Sequence, residues 1–477
     1  MNGHQGLVPR DRSNGPRRLV LIVAVALGAA ACTSSSDAAS PMGASGSGSA
    51  SGGATATGKT VTTIPQPAVP AHIPVAPESE RVDLTMPTFS DPTNITNPLF
   101  PVTLQESVLM LGHVEGKPFR TEVTLLPETR IIEWEGQRVE TLVSQYNAFL
   151  DGRIEEVAYD YYAQADDGSV WYFGEDVFDF RAGAIVVTEG TWLAGRDGPA
   201  AMIMPADPQV GDVYRTENAP GFVFEEVTVR STDETLDGPV GPIRGGMLAE
   251  ELHSDGKTEQ KVFAPGYGEF YTAGGRDVEA LALAVPTDAA TEPLPAELTT
   301  MSSRALDVFD MAGSGDWAAA SATVRDVKAA WETYRTGDMP SLIEPRMGRA
   351  LAVLARAVRS RQMAGARNAA IQAARSSLDL QLRYRPQAEI DLARMDLWAA
   401  QLLVDEAAGD ADGVGADQFA LDYDRDRIRD AVDARDLVRI NTEIGAIQVA
   451  VVDGELAAAA AAAERLRLTL ADLQPVG

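Results

Sequence analysis

Asp160-Tyr-Tyr-Ala-Gln-Ala-Asp-Asp-Gly-Ser-Val-Trp-Tyr-Phe-Gly-Glu-Asp176 decides the fold of the region around it. Aromatic and β-branched residues flank Asp166-Asp167-Gly168. An Asp-Gly pair between two such runs closes a β-hairpin, because glycine accepts the positive φ that the turn demands. In the first arm Val157, Tyr159 and Tyr161 alternate with Ala158, Asp160 and Tyr162; in the second, Val170 and Tyr172 alternate with Trp171 and Phe173. Both faces carry aromatic residues, which predicts a hairpin near the centre of a sheet and covered on each side.

Outward from the hairpin, short alternating segments continue in both directions. Strands are expected at 106–113, 120–126, 130–134, 138–149, 154–164, 169–174, 177–181, 184–189, 213–217, 222–231, 244–252, 259–264 and 279–285. Asp151-Gly152, Ala182-Gly183, Asp197-Gly198 and Asp255-Gly256 supply turn chemistry between segments. The Gly- and Pro-punctuated stretch 190–221 reads as a long structured loop laid across the sheet. No segment here sustains a helical apolar stripe, so 85–288 is expected to be an antiparallel all-β domain, either a sandwich or an open curled barrel.

After a linker at 289–295 the apolar period changes to 3.6, and 296–475 reads as an all-α domain. Helices are expected at 316–334, 341–361, 364–383, 387–408, 415–432, 435–452 and 455–473, with a short one at 301–311. Gly337, Pro386, Gly409 and Gly454 mark stops. Starts near 316, 364, 410 and 454 recur at a spacing that suits a helical-hairpin repeat; a compact up-and-down bundle fits equally.

The N-terminal region gives an address. Arg17-Arg18 precede an apolar run from Leu19 to Ala31, whose thirteen residues reach only ~20 Å as a helix, short of the ~30 Å hydrocarbon core. Residues 1–31 therefore read as a signal peptide. Leu27-Gly-Ala-Ala-Ala-Cys32 resembles the bacterial lipoprotein signal, which implies diacylation of Cys32, the chain's single cysteine. Paired arginines leave export open between the general secretory and twin-arginine routes. Residues 32–80, rich in Ser, Gly and then Pro, are expected to form a disordered tether.

The chain carries a formal net charge of −29. Residues 81–288 hold 14 basic and 36 acidic residues, so the acidity belongs mainly to the β-region. It reads as a solvated surface, and nucleic acid is excluded as a partner because no basic face is visible.

Asn97-Pro-Leu-Phe-Pro101, Tyr162-Ala-Gln with Gly168-Ser-Val-Trp-Tyr-Phe-Gly-Glu-Asp176, Met204-Pro-Ala-Asp-Pro-Gln-Val-Gly-Asp212, Ala219-Pro-Gly221 and Ala264-Pro-Gly-Tyr-Gly268 together resemble a family of uncharacterised secreted bacterial proteins and lipoproteins. The resemblance covers about 190 residues. It implies a shared β-domain and transfers no activity or catalytic residue.

Catalytic chemistry is thin. Asp166-Asp167 and Glu175-Asp176 offer carboxylates for acid–base work or a hard cation, but acids beside turns are the plainer reading; Asp167, Glu175 and Asp207 are kept as the candidate site. Met202 and Met204 read as packing residues. His113 and His253 stand alone near strand ends, so neither a metal ligand set nor a cofactor is assigned. Around Arg383-Tyr-Arg-Pro386, Glu389, Asp391 and Arg394 concentrate charge, which predicts a buried ion network orienting helices. The expected protein is thus a lipid-anchored envelope protein facing away from the cytoplasm. It serves as a binding or scaffold protein whose helical domain offers a face to a protein partner. The alternatives are a carrier of an apolar ligand in the β-domain and an extracytoplasmic hydrolase using the Asp/Glu loops.

Overall fold

The computed structural model describes residues 63–188 and 190–473. The signal peptide, Cys32 and the tether up to residue 62 lie outside the described residues. Fourteen strands make one antiparallel sheet: β1 (Ser107–Val114), β2 (Lys117–Trp134), β3 (Gln137–Leu150), β4 (Arg153–Gln164), β5 (Val170–Arg181), β6 (Ala184–Val187), β7 (Trp192–Leu193), β8 (Ala201–Met204), β9 (Val213–Ala219), β10 (Val223–Gly238), β11 (Gly241–His253), β12 (Thr258–Ala264), β13 (Gly268–Gly274) and β14 (Asp277–Val285). The order is β6-β5-β4-β3-β2-β1-β14-β13-β12-β11-β10-β9, with β7 and β8 also pairing with β5. Two meanders therefore join where β1 meets β14. Strands from both ends of this order line a common cavity, so the sheet curls. It does not close, since β8 lies alongside β9 without pairing.

Glu115-Gly116, Glu135-Gly136, Asp151-Gly152 and Ala182-Gly183 each place both residues at positive φ, the mirror-image turn whose twist matches the strands it joins. β2 runs unbroken where two strands were expected. Pro127, which has no N–H to give, sits in its register shift between Leu125 and Thr129. The stretch 190–221 is not only a loop: β7 and β8 within it pair with β5, and β9 begins there.

Residues 63–80 do not belong to the expected disordered tether. From Thr63 the chain lies on the sheet, with Ile64 and Ile73 buried. The buried Arg81–Asp83 pair docks beside β9, where the Val82 N–H donates to the Val213 carbonyl and the Arg215 N–H to Asp83. Edge strand β9 is thereby covered, which satisfies backbone groups that would otherwise be open to other chains.

Eight helices follow: α1 (Ala296–Ser314), α2 (Trp317–Tyr334), α3 (Ile343–Arg359), α4 (Met363–Gln381), α5 (Gln387–Ala408), α6 (Ala411–Ile428), α7 (Ala434–Val452) and α8 (Leu456–Ala471). Asp316, Asp410 and Asp433 cap α2, α6 and α7 by accepting backbone N–H bonds. In each of the sets α1–α4 and α5–α8 the first helix packs on the second and on the fourth, and the second and third touch. The spaced starts thus belong to two successive four-helix bundles, each with its own apolar core.

Both bundles rest on the outer face of the sheet. Leu109, Leu111 and Leu283 join the core of the first, and Phe149, Ile154, Val157 and Phe180 join the core of the second. Phe149 stacks on Trp398, ring centroids 5.2 Å apart. Between them runs a buried ion network: Arg120 binds Glu122 and Asp379, Arg394 binds Asp379 and Asp391, and Arg427 binds Glu122 at 2.7 Å. Asp424 and the buried Arg375 lie in the same field. The expected network at Asp391 and Arg394 is therefore present, and it also ties the helices to β2 and β3. Glu122, Asp379 and Asp391 each lie within 3.0 Å of a guanidinium group, while burial pushes Asp424 up to about 8.

Candidate functional site

The opening hairpin is covered on both faces, for two different reasons. On the outer face Tyr159 donates to Asp426 of α6, while Trp171 and Phe173 pack against Trp134, and Phe173 also against Phe89. On the inner face Asp160, Tyr162 and Tyr172 line a cavity enclosed by the curl of the sheet. Its volume is about 100 Å³, room for several waters or a small organic molecule.

Two chemistries meet in its lining. Phe100, Val108, Met110, Leu125, Ile203 and Phe263 are apolar, and Tyr162 stacks on Tyr172 at 4.9 Å with Phe100 edge-on to it. Asp160, Glu217, Glu225, Glu251 and Glu269 bring five carboxyl groups, against which the lining sets a single cation, Lys261. The segment 97–105 folds over the cavity, contributing Phe100, Val102 and Gln105. It is held by Asn97, which donates to the carbonyls of Gly168 and Pro205.

Strand register sets the acids beside one another. Glu217 faces Glu225 across β9 and β10, Glu251 faces Glu259 across β11 and β12, and Asp160 faces Glu175 across β4 and β5. Lys261 Nζ lies 2.7 Å from Glu251, and Thr216 donates to Glu225 at 3.1 Å. Tyr172 donates to Asp160 at 2.7 Å, and the Trp192 indole N–H donates to Glu217 Oε1 at 3.1 Å. Glu217 Oε2 is fully buried and has no partner.

These surroundings spread the titration of the acids widely. Burial pushes Asp160 up to about 7 and Glu279 up to about 8. Burial and then the charge of Glu225 push Glu251 up to about 8; the same two causes carry Glu217 well above the carboxylate range. Burial opposes ionisation of Glu225 too, but Lys261 and His253 hold it down to about 2.

His253 is not isolated. Nδ1 lies 3.3 Å from Glu225, and Nε2 lies 3.4 Å from Glu259 and 3.9 Å from Glu251. Burial disfavours its charge, yet hydrogen bonds to Glu225 and Glu259 push it up to about 11. Glu225, Glu251 and His253 have donor atoms within 4.8 Å of one another and could hold a cation. With both ring nitrogens against carboxylates, the imidazolium itself already serves as counter-ion.

The expected site residues fare differently. Asp167 accepts from the backbone and hydroxyl of Ser169, its own turn. Asp207 is exposed in the loop after β8, and Ala206 beside it approaches Gly168. Glu175 does not join them. It is no turn acid but a fully buried residue inside β5, five residues beyond Val170 and so roughly 16 Å along the strand. The strand continues through Gly174, at φ 115°, where a turn was expected. Nor is the acidity only a solvated surface: Glu156, Asp160, Glu175, Glu217, Glu225, Glu251 and Glu279 are all buried.

These shifts predict a pH dependence. Asp160, Glu251 and Glu279 hold protons in the folded chain that the unfolded chain releases above about pH 4, so stability falls as pH rises from there towards 8. His253, raised in the fold, loses stabilisation in the same direction above about pH 6.5. Glu225, Glu122 and Asp379, lowered in the fold, act oppositely and destabilise it as pH drops below about 4. The melting temperature of the ligand-free protein is expected to be highest near about pH 4–5 and to decline towards pH 8; a flat or rising profile between about pH 5 and 8 contradicts the assignment.

The chain matches none of the protein-family models and none of the curated proteins with which it was compared.

Proposed function

We propose that this chain is an extracytoplasmic binding protein, anchored to a bacterial membrane through a diacylated Cys32, that carries a small ligand with a largely apolar body in the curled sheet. The observation that carries this reading is the cavity, together with the origin of its walls. Phe100 comes from the Asn97–Pro101 motif, Tyr162 and Tyr172 from the hairpin motif, Ile203 adjoins the Met204 motif, and Tyr267 and Gly268 close the Ala264 motif. Segments dispersed over about 170 residues thus converge on one apolar space, the kind of concave and largely preformed surface that small ligands occupy.

Filling the space tests it. Leu125, half-buried at the cavity wall, tolerates a larger side chain better than a fully packed position does. Leu125→Trp is expected to abolish binding of an environment-sensitive apolar fluorophore to the full chain in mild detergent, with far-UV circular dichroism unchanged; Ser144→Phe fills the cavity from another strand. Undiminished fluorophore binding by both folded variants contradicts the reading.

A second reading, a protein-interaction face on the helices, is favoured by Val438, Val449 and Val452, which are exposed on one stripe of α7. The hydrolase alternative gains no support, because Asp167, Glu175 and Asp207 do not assemble into one site.

A further inference from the structure

We propose that the ligand of the cavity is an organic ammonium ion, its hydrocarbon body against the aromatic wall and its charged nitrogen against Glu217 and Asp160. The inference rests on the cavity being a ligand site and names what that site selects.

In the network between sheet and helices Asp379, Asp391 and Glu122 each have a guanidinium group to offset them, which is how buried charges are ordinarily tolerated. The cavity departs from this: five carboxyl groups face one lysine in the lining, and the His253 imidazolium beside it offsets Glu225 and Glu251 while pairing with neither Glu217 nor Asp160. Glu217 is the sharpest case: the residue lines the cavity, and its Oε2 is buried without a hydrogen-bond partner. An oxygen of that kind needs either a proton or a visiting cation.

The surroundings choose among cations. Aromatic rings attract an organic cation through their faces and offer a hard metal ion no ligand, and Tyr162 and Tyr172 stack beside Asp160. An ammonium group has three N–H donors, enough to span neighbouring carboxylates. The protein already contains an example: Lys261 lays its alkyl stem inside the sheet and sets Nζ 2.7 Å from Glu251. Among the described residues no lysine or arginine makes such a pair with Glu217, whose one side-chain donor is the Trp192 indole.

The test is isothermal titration of the full chain in mild detergent with 1-aminohexane and, in parallel, 1-hexanol, which shares its length but carries no charge. The amine is expected to bind at least about tenfold more tightly, the worth of one charge-assisted hydrogen bond. Glu217→Gln, nearly identical in shape, is expected to remove most of that preference by lowering the affinity for the amine; Asp160→Asn serves if the first variant misfolds. Equal affinity for amine and alcohol overturns the cationic assignment and leaves the ligand cavity standing, whereas binding of neither overturns both. Calcium or zinc binding in place of the amine, lost in Glu217→Gln, overturns the assignment in favour of a metal site.

Discussion

Arg394→Met is expected to destabilise the folded chain by about 3–5 kcal/mol. The guanidinium group is almost wholly buried, 3.1 Å from Asp379, 3.0 Å from Asp391 and 3.4 Å from Glu122. Those carboxylates hold it well charged against the opposing effect of burial. Methionine fills much of the volume but leaves a net negative charge in a space closed to water, which is the costly half of breaking a buried pair. Because Glu122 belongs to β2 while Asp379 and Asp391 belong to α4 and α5, the loss is shared by sheet and helices. Hydrogen–deuterium exchange across a urea series, read separately on peptides of the sheet and of the helices, is expected to show both transitions shifted together. A shift confined to the helical signal would mean that the two regions fold independently.

Gly174→Ala is expected to cost about 3 kcal/mol, combining backbone strain with overpacking. Gly174 lies within the opening hairpin at φ 115°, and a Cβ there would stand 2.2 Å from the Trp192 carbonyl oxygen and 2.9 Å from the Leu193 Cα. Neither backbone atom can move without displacing β7. Trp192 holds Glu217 through its indole nitrogen, so the variant is expected to lose ligand binding beyond what its stability loss explains. Differential scanning calorimetry beside fluorophore titration separates the two effects. An unchanged melting temperature would show that β7 is free to yield.

Much of the fold was legible because its signals are local. Asp-Gly and Ala-Gly pairs mark turns by the φ they require, and Asp316 and Asp410, each following a glycine, mark helix starts by the N–H groups they cap. The two-bundle arrangement was not legible, since a recurring start says nothing about which helix the fourth one meets. The cavity was missed for a different reason. Glu217 and Glu225 look like solvated acids until the register places them opposite each other inside the curl.

One sequence signal did bear on it. Glu155-Glu156, Glu225-Glu226 and Glu250-Glu251 are consecutive pairs in strands, and the period of two sends one member of each to either face. In a sheet covered on both sides an inward acid is then unavoidable, and Glu156, Glu225 and Glu251 are those residues. His253 follows Glu251 by two and so joins the same face, which is how a histidine that stands alone in sequence acquires three carboxylates.

The most direct test of a ligand-carrying curled sheet is native mass spectrometry of the full-length protein, purified in mild detergent from cells that produce it. One small molecule retained per chain, released on unfolding and absent from Leu125→Trp, is the predicted result. A spectrum holding only the ligand-free mass, for a folded chain that also fails to take up added 1-aminohexane or 1-hexanol, would contradict the account.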